Sequence, residues 1–204
     1  MTLRAVLDNL KFDGPVSVHI ADDGSESEHR RVLHELAGGY AQVRGVSVTN
    51  SERGGYGRNV NLASQITHQF ADYVLMLEDD WALRRVLCLD DLIHDMQTEP
   101  KIGCIRLGYI GYTQPLRGNF VNVNGRMYIA LDPGSHEPHV WAGHPRLESV
   151  VYQREVGPWP EGLAPGETEF RVAHIPRARE GVVWPMSVDP CNSVFAHVGA
   201  VRAW

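Results

Sequence analysis

The first half of the chain alternates between two hydrophobic periods. Leu3, Val6, Leu7 and Leu10 recur at helical spacing behind Thr2, a residue suited to cap the helix they predict. Val16, Val18 and Ile20 then alternate with Ser17 and His19, the period-two pattern of a strand, and the run ends in Ala21-Asp22-Asp23-Gly24-Ser25. Val32, Leu33 and Leu36 share one side of a following helix that Gly38-Gly39 stops, and 43–48 reads as the next strand. The Gly-rich turn Arg53-Gly54-Gly55-Tyr56-Gly57-Arg58-Asn59 leads into a helix whose Leu62, Ile66 and Phe70 should face the core. The all-apolar stretch 73–77 is the mark of a strand buried on both faces, and it ends abruptly in Glu78-Asp79-Asp80-Trp81. A helix over about 87–96 stops before Pro100, and 102–110 is a further strand.

Alternating helix and strand predicts an α/β fold, a Rossmann-like and mostly parallel sheet flanked by helices. Beyond about residue 115 the pattern changes. Asn124-Gly125 between 120–123 and 127–131 is a hairpin signal, 132–146 is loop-like, and helices are expected over 148–156 and 166–174. The tail from Ala178 reads as irregular or short strand. Residues 1–115 are therefore expected to form a nucleotide-binding half and 116–204 a second half built against its edge.

Composition changes this picture little. At 204 residues, 43% hydrophobic and 22% charged, the chain is ordinary globular material and not disordered, collagenous or coiled-coil. No apolar run approaches the roughly 18 residues that span a bilayer, and no signal-peptide pattern opens the chain, so the expectation is a soluble, cytoplasmic protein. Cys88, Cys104 and Cys191 are too widely spaced for a disulfide framework or zinc knuckle and are expected to be reduced and mostly buried. The net charge is −6, and no Lys/Arg block marks a nucleic-acid groove.

Candidate chemistry sits at the strand ends. Glu78, Asp79 and Asp80 repel one another, and a fold accepts such a run where water or a cation screens it; carboxylates are the ligands of hard cations such as Mg²⁺ and Mn²⁺. The same residues also suit a solvated acidic turn. Asp22-Asp23-Gly24-Ser25 places carboxylates where α/β proteins bind ribose or base, although Asp, Gly and Ser form turns for purely local reasons. The 53–59 turn offers close backbone approach and a helix N-terminus to an anion, with Arg58 as a charged contact; it lacks the Gly-Lys-Ser/Thr ending of a P-loop.

The order strand–DDGS, strand–Gly-rich turn–helix, strand–EDD resembles the family 2 glycosyltransferases of the GT-A fold. The matching stretches are 20–25, Asn50 with Gly57-Arg58-Asn59, and 74–80. The resemblance implies a metal-dependent, inverting transfer of a sugar from a nucleotide-diphosphate donor to a hydroxyl acceptor, with Mn²⁺ or Mg²⁺ as cofactor. By that resemblance Asp22 and Asp23 belong to the nucleotide site, Arg58 and Asn59 lie near base or diphosphate, and Glu78 and Asp79 complete the donor site. Asp80 is the expected metal ligand. His197 resembles a late metal-binding histidine of such enzymes, with His174 as its competitor. The base is expected in Gly166-Glu167-Thr168-Glu169-Phe170, where Thr168 interrupts the family's acidic pair and leaves Glu167, narrowly favoured, or Glu169.

The family's opening strand and Pro-x-Tyr-Asn-like loop have no counterpart here. Such a loss would expose two ladder edges, so a homodimer is a reasonable expectation. A catalytically inactive binding or assembly module is the alternative reading, and a nucleotidyltransferase a more distant one. The spacing of His136, His139 and His144 matches no strong zinc pattern. Trp141, Trp159 and Trp184 are candidate sugar-stacking residues that serve ordinary packing equally well.

Overall fold

The computed structural model describes residues 2–50, 52–108, 117–132, 143–180, 182–183 and 193–198. Helix α1 (Thr2–Asn9) runs into a two-residue strand β1 (Leu10–Lys11). Strand β2 (Val16–Asp22), α2 (Ser27–Gly38), β3 (Val43–Asn50) and α3 (Tyr56–Thr67) follow where the hydrophobic periods predict them. Val6 and Leu7 are buried as expected, but Thr2 lies inside α1, and its hydroxyl donates to the Asp79 carbonyl at 2.5 Å. Next come β4 (Tyr73–Met76), β5 (Trp81–Leu83), β6 (Leu87–Cys88), α4 (Leu89–Thr98) and β7 (Cys104–Arg106).

Strands β8 (Gly118–Val123) and β9 (Arg126–Leu131) form the expected hairpin. Asn124 and Gly125 at its tip have φ of 52° and 84°, the left-handed pair that a two-residue type I′ turn demands. Beyond them lie β10 (Arg146–Ser149), α5 (Val150–Val156), α6 (Pro165–Ala173), a 3₁₀ turn at Arg177–Arg179, β11 (Val182–Val183) and β12 (Phe195–His197). No helix among the described residues is long and apolar enough to cross a membrane. Cys88 and Cys104 are free thiols, Cys104 buried, and Cys191 lies outside the described residues.

The largest sheet has six strands in the order β4-β10-β7-β11-β9-β8. Parallel ladders join β1 to β6, β2 to β3 and β7 to β11, while the remaining ladders are antiparallel. The fold is α/β, with a smaller parallel share than the alternation suggests. Part of the reason is β10, which enters antiparallel between β4 and β7; the hairpin and the β11–β9 and β12–β5 pairings supply the rest. Among the described residues β4 pairs on one side only, with β10, and its residues are half-buried along its length rather than covered on both faces.

Two further expectations are corrected. The stretch 148–156 divides into the end of β10 and helix α5. Arg146 and Glu148 share one face of an interior strand and neutralise each other through an Nε–Oε1 bond of 2.8 Å, so two charges that disguise the strand in the sequence are 3% and 6% exposed. Helix α5 starts at Ser149, whose hydroxyl accepts from the Tyr152 N–H at 3.1 Å. Helix α3 ends at Thr67, which leaves Phe70 in the following turn and 56% exposed.

Trp81, Leu83, Leu92, Ile105, Leu107, Leu147 and Phe195 belong to one buried cluster between the sheets and α4. A polar bracket holds the hairpin to it. Asp95 of α4 is fully buried and accepts from Asn124 at 2.9 Å, and from Arg126 and the Tyr128 hydroxyl at 2.5 Å each. Burial by itself raises the Asp95 carboxyl, but the bonds from Tyr128, Arg126 and Asn124 outweigh it and hold the group below its ordinary value.

Stability from Asp95 is therefore present at neutral pH and lost as acid protonates it. Asp95→Ala should lower unfolding free energy by about 3 kcal/mol at pH 7, because it leaves the buried Tyr128 hydroxyl and the half-buried Arg126 guanidinium without their acceptor. In urea titrations that deficit should shrink toward pH 3. A neutral effect at pH 7 would show that the bracket carries no stability.

Candidate functional site

The strand ends β2 and β4 deliver the acidic motifs, and the start of α3 joins them. Asp22 is 7% exposed and is occupied locally: Oδ2 accepts from the N–H groups of Gly24 at 3.2 Å and Ser25 at 3.0 Å, and from Arg30 at 3.2 Å. Burial raises its carboxyl, yet the bonds from Ser25, Arg30 and the turn amides win and hold it low, so it stays ionised and shapes the turn. Asp23 is exposed, and its Oδ1 accepts from the Gly55 N–H at 3.2 Å.

Helix α3 begins without a side-chain cap at Gly55, whose φ of 84° only glycine adopts readily. Its first turn therefore keeps backbone donors available to an anion. Arg58 lies exposed on that turn. Asn59 donates from Nδ2 to the Ala21 carbonyl at 3.0 Å and leaves Oδ1 buried without a partner among the described residues. Gly57 is a glycine because a Cβ there would stand 1.9 Å from the Pro160 carbonyl oxygen and 3.3 Å from Thr168 Cγ2. Successive residues thus reach Asp23, Glu78 (through the Tyr56 hydroxyl) and the 160–168 segment.

Glu78 is half-buried, with Tyr56, Glu169, Asp80 and Arg146 acting on its carboxyl. Burial first, then the charges of Glu169 and Asp80, push the carboxyl up to about 7, against the hydrogen bond from Tyr56 and the charge of Arg146. Burial holds the Tyr56 phenol well above its ordinary value, which makes it a donor. Glu169 of α6 arrives over Gly143. A Cβ at that residue would lie 1.9 Å from Glu169 Oε1 and 3.7 Å from Glu78 Oε1, so the two carboxylates converge on a position that only glycine leaves open. Glu167, by contrast, is exposed and paired with Arg171 at 3.1 Å.

Asp80 and His197 meet because β12 pairs with β5, opposing His197 to Trp81. His197 Nε2 donates to Asp80 Oδ2 at 3.0 Å, and the Val198 N–H donates to the Asp80 carbonyl at 2.7 Å. The Trp81 ring backs the pair, 5.1 Å from His197 and 5.6 Å from His144. Asp79 is exposed, and its carbonyl accepts from the Thr2 hydroxyl. Among the described residues no three of His, Cys, Asp and Glu gather as a complete cation cage. Two donors are nevertheless left over: Asp80 Oδ1 and His197 Nδ1 are buried without partners among those residues. Nδ1 lies on the opposite side of the imidazole from the Nε2 that meets Asp80, so these two atoms do not face one ion; a carboxylate and an imidazole are ligands that Mn²⁺ and Mg²⁺ accept, and a cation held by both residues would take the place of the Nε2–Oδ2 hydrogen bond.

His174 lies instead at the end of α6, exposed, with Nδ1 donating to the Phe170 carbonyl at 2.7 Å. His136, His139, Trp141 and Trp184 lie outside the described residues. Sequence reasoning missed Tyr56, Gly143 and Arg146. Tyr56 was visible inside the Gly-rich turn, whereas Arg146 carried no signal because its strand was not recognised. Arg146 lies 5.3 Å over the Trp159 ring, whose edge meets Tyr56 at 5.4 Å, so Trp159 braces the cluster.

No family model matches the chain, and no curated protein matches it. Solved structures do. TarS of S. aureus, a glycosyltransferase, superimposes with a TM-score of 0.61 at 16% identity over 89% of this chain and 32% of TarS. Its 1–349 fragment gives 0.63 at 15% identity over 97% of this chain and 56% of the fragment. The same fragment in complex with UDP gives 0.60 at 16% identity, covering 89% of this chain and 52% of the other. At these identities the likeness is one of fold, and the chain spans from 32% to 56% of the length of these three structures.

The raised Glu78 carboxyl has a consequence for stability. A group near 4.5 when unfolded and about 7 when folded stabilises below 4.5, and its contribution is lost as pH rises through 7. The swing is about 3 kcal/mol. With chelator present, Glu78→Gln should gain stability relative to wild type between pH 5 and pH 8 in thermal unfolding. A pH-independent difference would mean that Glu78 ionises normally.

Proposed function

We propose that this chain is a glycosyltransferase that moves a sugar from a nucleoside-diphosphate donor to a hydroxyl acceptor with inversion. The observation that carries this reading is that the start of α3 meets an acidic turn suited to a nucleotide through Asp23 and meets Glu78 through Tyr56, while Glu169 from a separate helix and Asp80, paired with His197, act on that same Glu78 carboxyl. A fold shared with a protein solved with UDP supports a uridine nucleotide as the first donor to try.

In this reading Asp23 contacts the nucleoside, while Asp22 keeps the turn in shape from beneath. Arg58 and the free amides of the α3 first turn receive the diphosphate. Asp80 and His197 would hold Mn²⁺ or Mg²⁺ in place of their mutual hydrogen bond, and the cation would supply charge neutralisation to the diphosphate. Glu169 accepts the proton of the acceptor hydroxyl as its oxygen attacks the anomeric carbon; the bond from that carbon to the diphosphate oxygen breaks, and the diphosphate leaves with the electron pair. Glu78 lies between these functions. Donation from Tyr56 and the Arg146 charge keep it oriented beside Glu169 without adding a full negative charge there at neutral pH.

Calorimetric titration with UDP, GDP, dTDP and CDP, with and without Mn²⁺, tests the donor site. One nucleotide should bind in a metal-dependent way, and Asp80→Ala should weaken it by about tenfold or more. With an acceptor identified, Glu169→Gln should lower kcat by about 10²–10⁴ while nucleotide affinity holds, and Glu167→Gln should change kcat less than about threefold. Absence of nucleotide binding under every condition would overturn the reading in favour of a binding module.

A further inference from the structure

A cavity of about 340 Å³ lies behind the acid cluster and includes none of Asp23, Glu78, Asp80 or Glu169 in its walls. One wall is a stripe of α3: Asn61, Ser64, Gln65 and His68, spaced so that all lie on one helical face. The floor is the sheet, through Met76 of β4 and the Arg146–Glu148 pair of β10. Helix α5 contributes Gln153, and the segment after it contributes Trp159.

A sheet face under a helical layer is ordinarily apolar. Here it carries a buried ion pair, whose desolvation is costly unless the geometry compensates. The compensation is complete for the charges. Arg146 donates to Glu148, to the His144 carbonyl and to Met76 sulfur, and Gln153 donates to the second oxygen of Glu148 at 2.8 Å. The guanidinium is thus committed; Arg154, which also lines the cavity, donates to the His68 carbonyl and is offset by Glu161 across the lining, so the cavity offers an incoming anion no net positive charge. The Ser64 hydroxyl and the Gln65 amide, in contrast, have no side-chain partner among the described residues. A hydroxyl and an amide both donate and accept, which suits ligands whose groups do the same. Trp159, Met76 and Val172 add apolar surface, and the volume is within the range of small-molecule sites.

We propose that this cavity is a second carbohydrate-binding subsite for a neutral sugar, separate from the positions of donor and acceptor in the transfer reaction. Sugar hydroxyls pair with Ser64, Gln65 and the outer lone pairs of Glu148, and the C–H face of the ring packs against the indole. Arg146 and Trp159 line the cavity on one side and neighbour the Tyr56–Glu78 pair on the other, so the two sites share walls without sharing the acids.

The test is an amide-correlation NMR titration of the whole chain with glucose, N-acetylglucosamine and maltose, without nucleotide or metal, and with inorganic phosphate as the anionic control. At least one sugar should give saturable shifts at Ser64, Gln65 and the Trp159 indole N–H, and phosphate should give none there. Ser64→Phe, which fills the cavity, should weaken that sugar by about tenfold or more. Gln65→Ala should weaken it less, and serves if the larger side chain prevents folding. Nucleotide binding by both variants should equal that of wild type. No saturable shift with any sugar, shifts confined to other residues, or binding that survives in both variants would overturn the proposal and leave a cavity filled by water. Because sugar is titrated alone, this outcome is independent of whether the chain binds a nucleotide.

Discussion

Residues 55, 56 and 57 are the constraint on which the rest of the site depends. A helix that begins with a glycine cap has no side chain of its own to satisfy its first amides, and here the Gly55 amide is met by Asp23 across the turn. The next residue sends its phenol to Glu78, and the third has no side chain because the Pro160 carbonyl occupies that space. Asn61, one turn further, ties the same helix to Trp159 through 2.8 Å and 2.9 Å bonds in both directions. Three chain segments far apart in sequence are thereby held to one short stretch of backbone.

The acidic character of the site is tolerated because the charges are not equivalent. Asp22 is buried but saturated with donors, so it is an ordinary ionised turn-former. Glu78 has one donor and two acidic neighbours, and it yields by holding its proton to higher pH. Asp80 is more exposed and leans on His197. Environment, not residue type, separates three carboxylates into three roles.

The two halves of the chain interlock through β10. A strand whose exposed-looking residues are Arg and Glu lies one in from the edge of the six-stranded sheet, flanked on both sides, and the same two residues floor the cavity behind the site. Their mutual neutralisation makes the strand possible, and their contacts with Met76, Gln153 and Trp159 fix how the loop after α5 lies on α3.

By itself the sequence determined the elements whose cause is local. Period-two and helical spacing placed β2, α2, β3 and α3, the Asn-Gly pair placed the hairpin tip, and the two acidic strand ends were legible as they stood. The tertiary structure decided what depends on distant partners. Strand β10 is hidden in the sequence because its charged positions are buried only once β4 and β7 flank them. The 166–170 segment offered two glutamates of equal chemistry, and helix phase against Gly143, more than twenty residues earlier, separates one facing the acid cluster from one paired with Arg171 in solvent. Periodicity reports which face of an element seeks the core; it carries no information on which remote backbone, carbonyl or charge will be there to receive it.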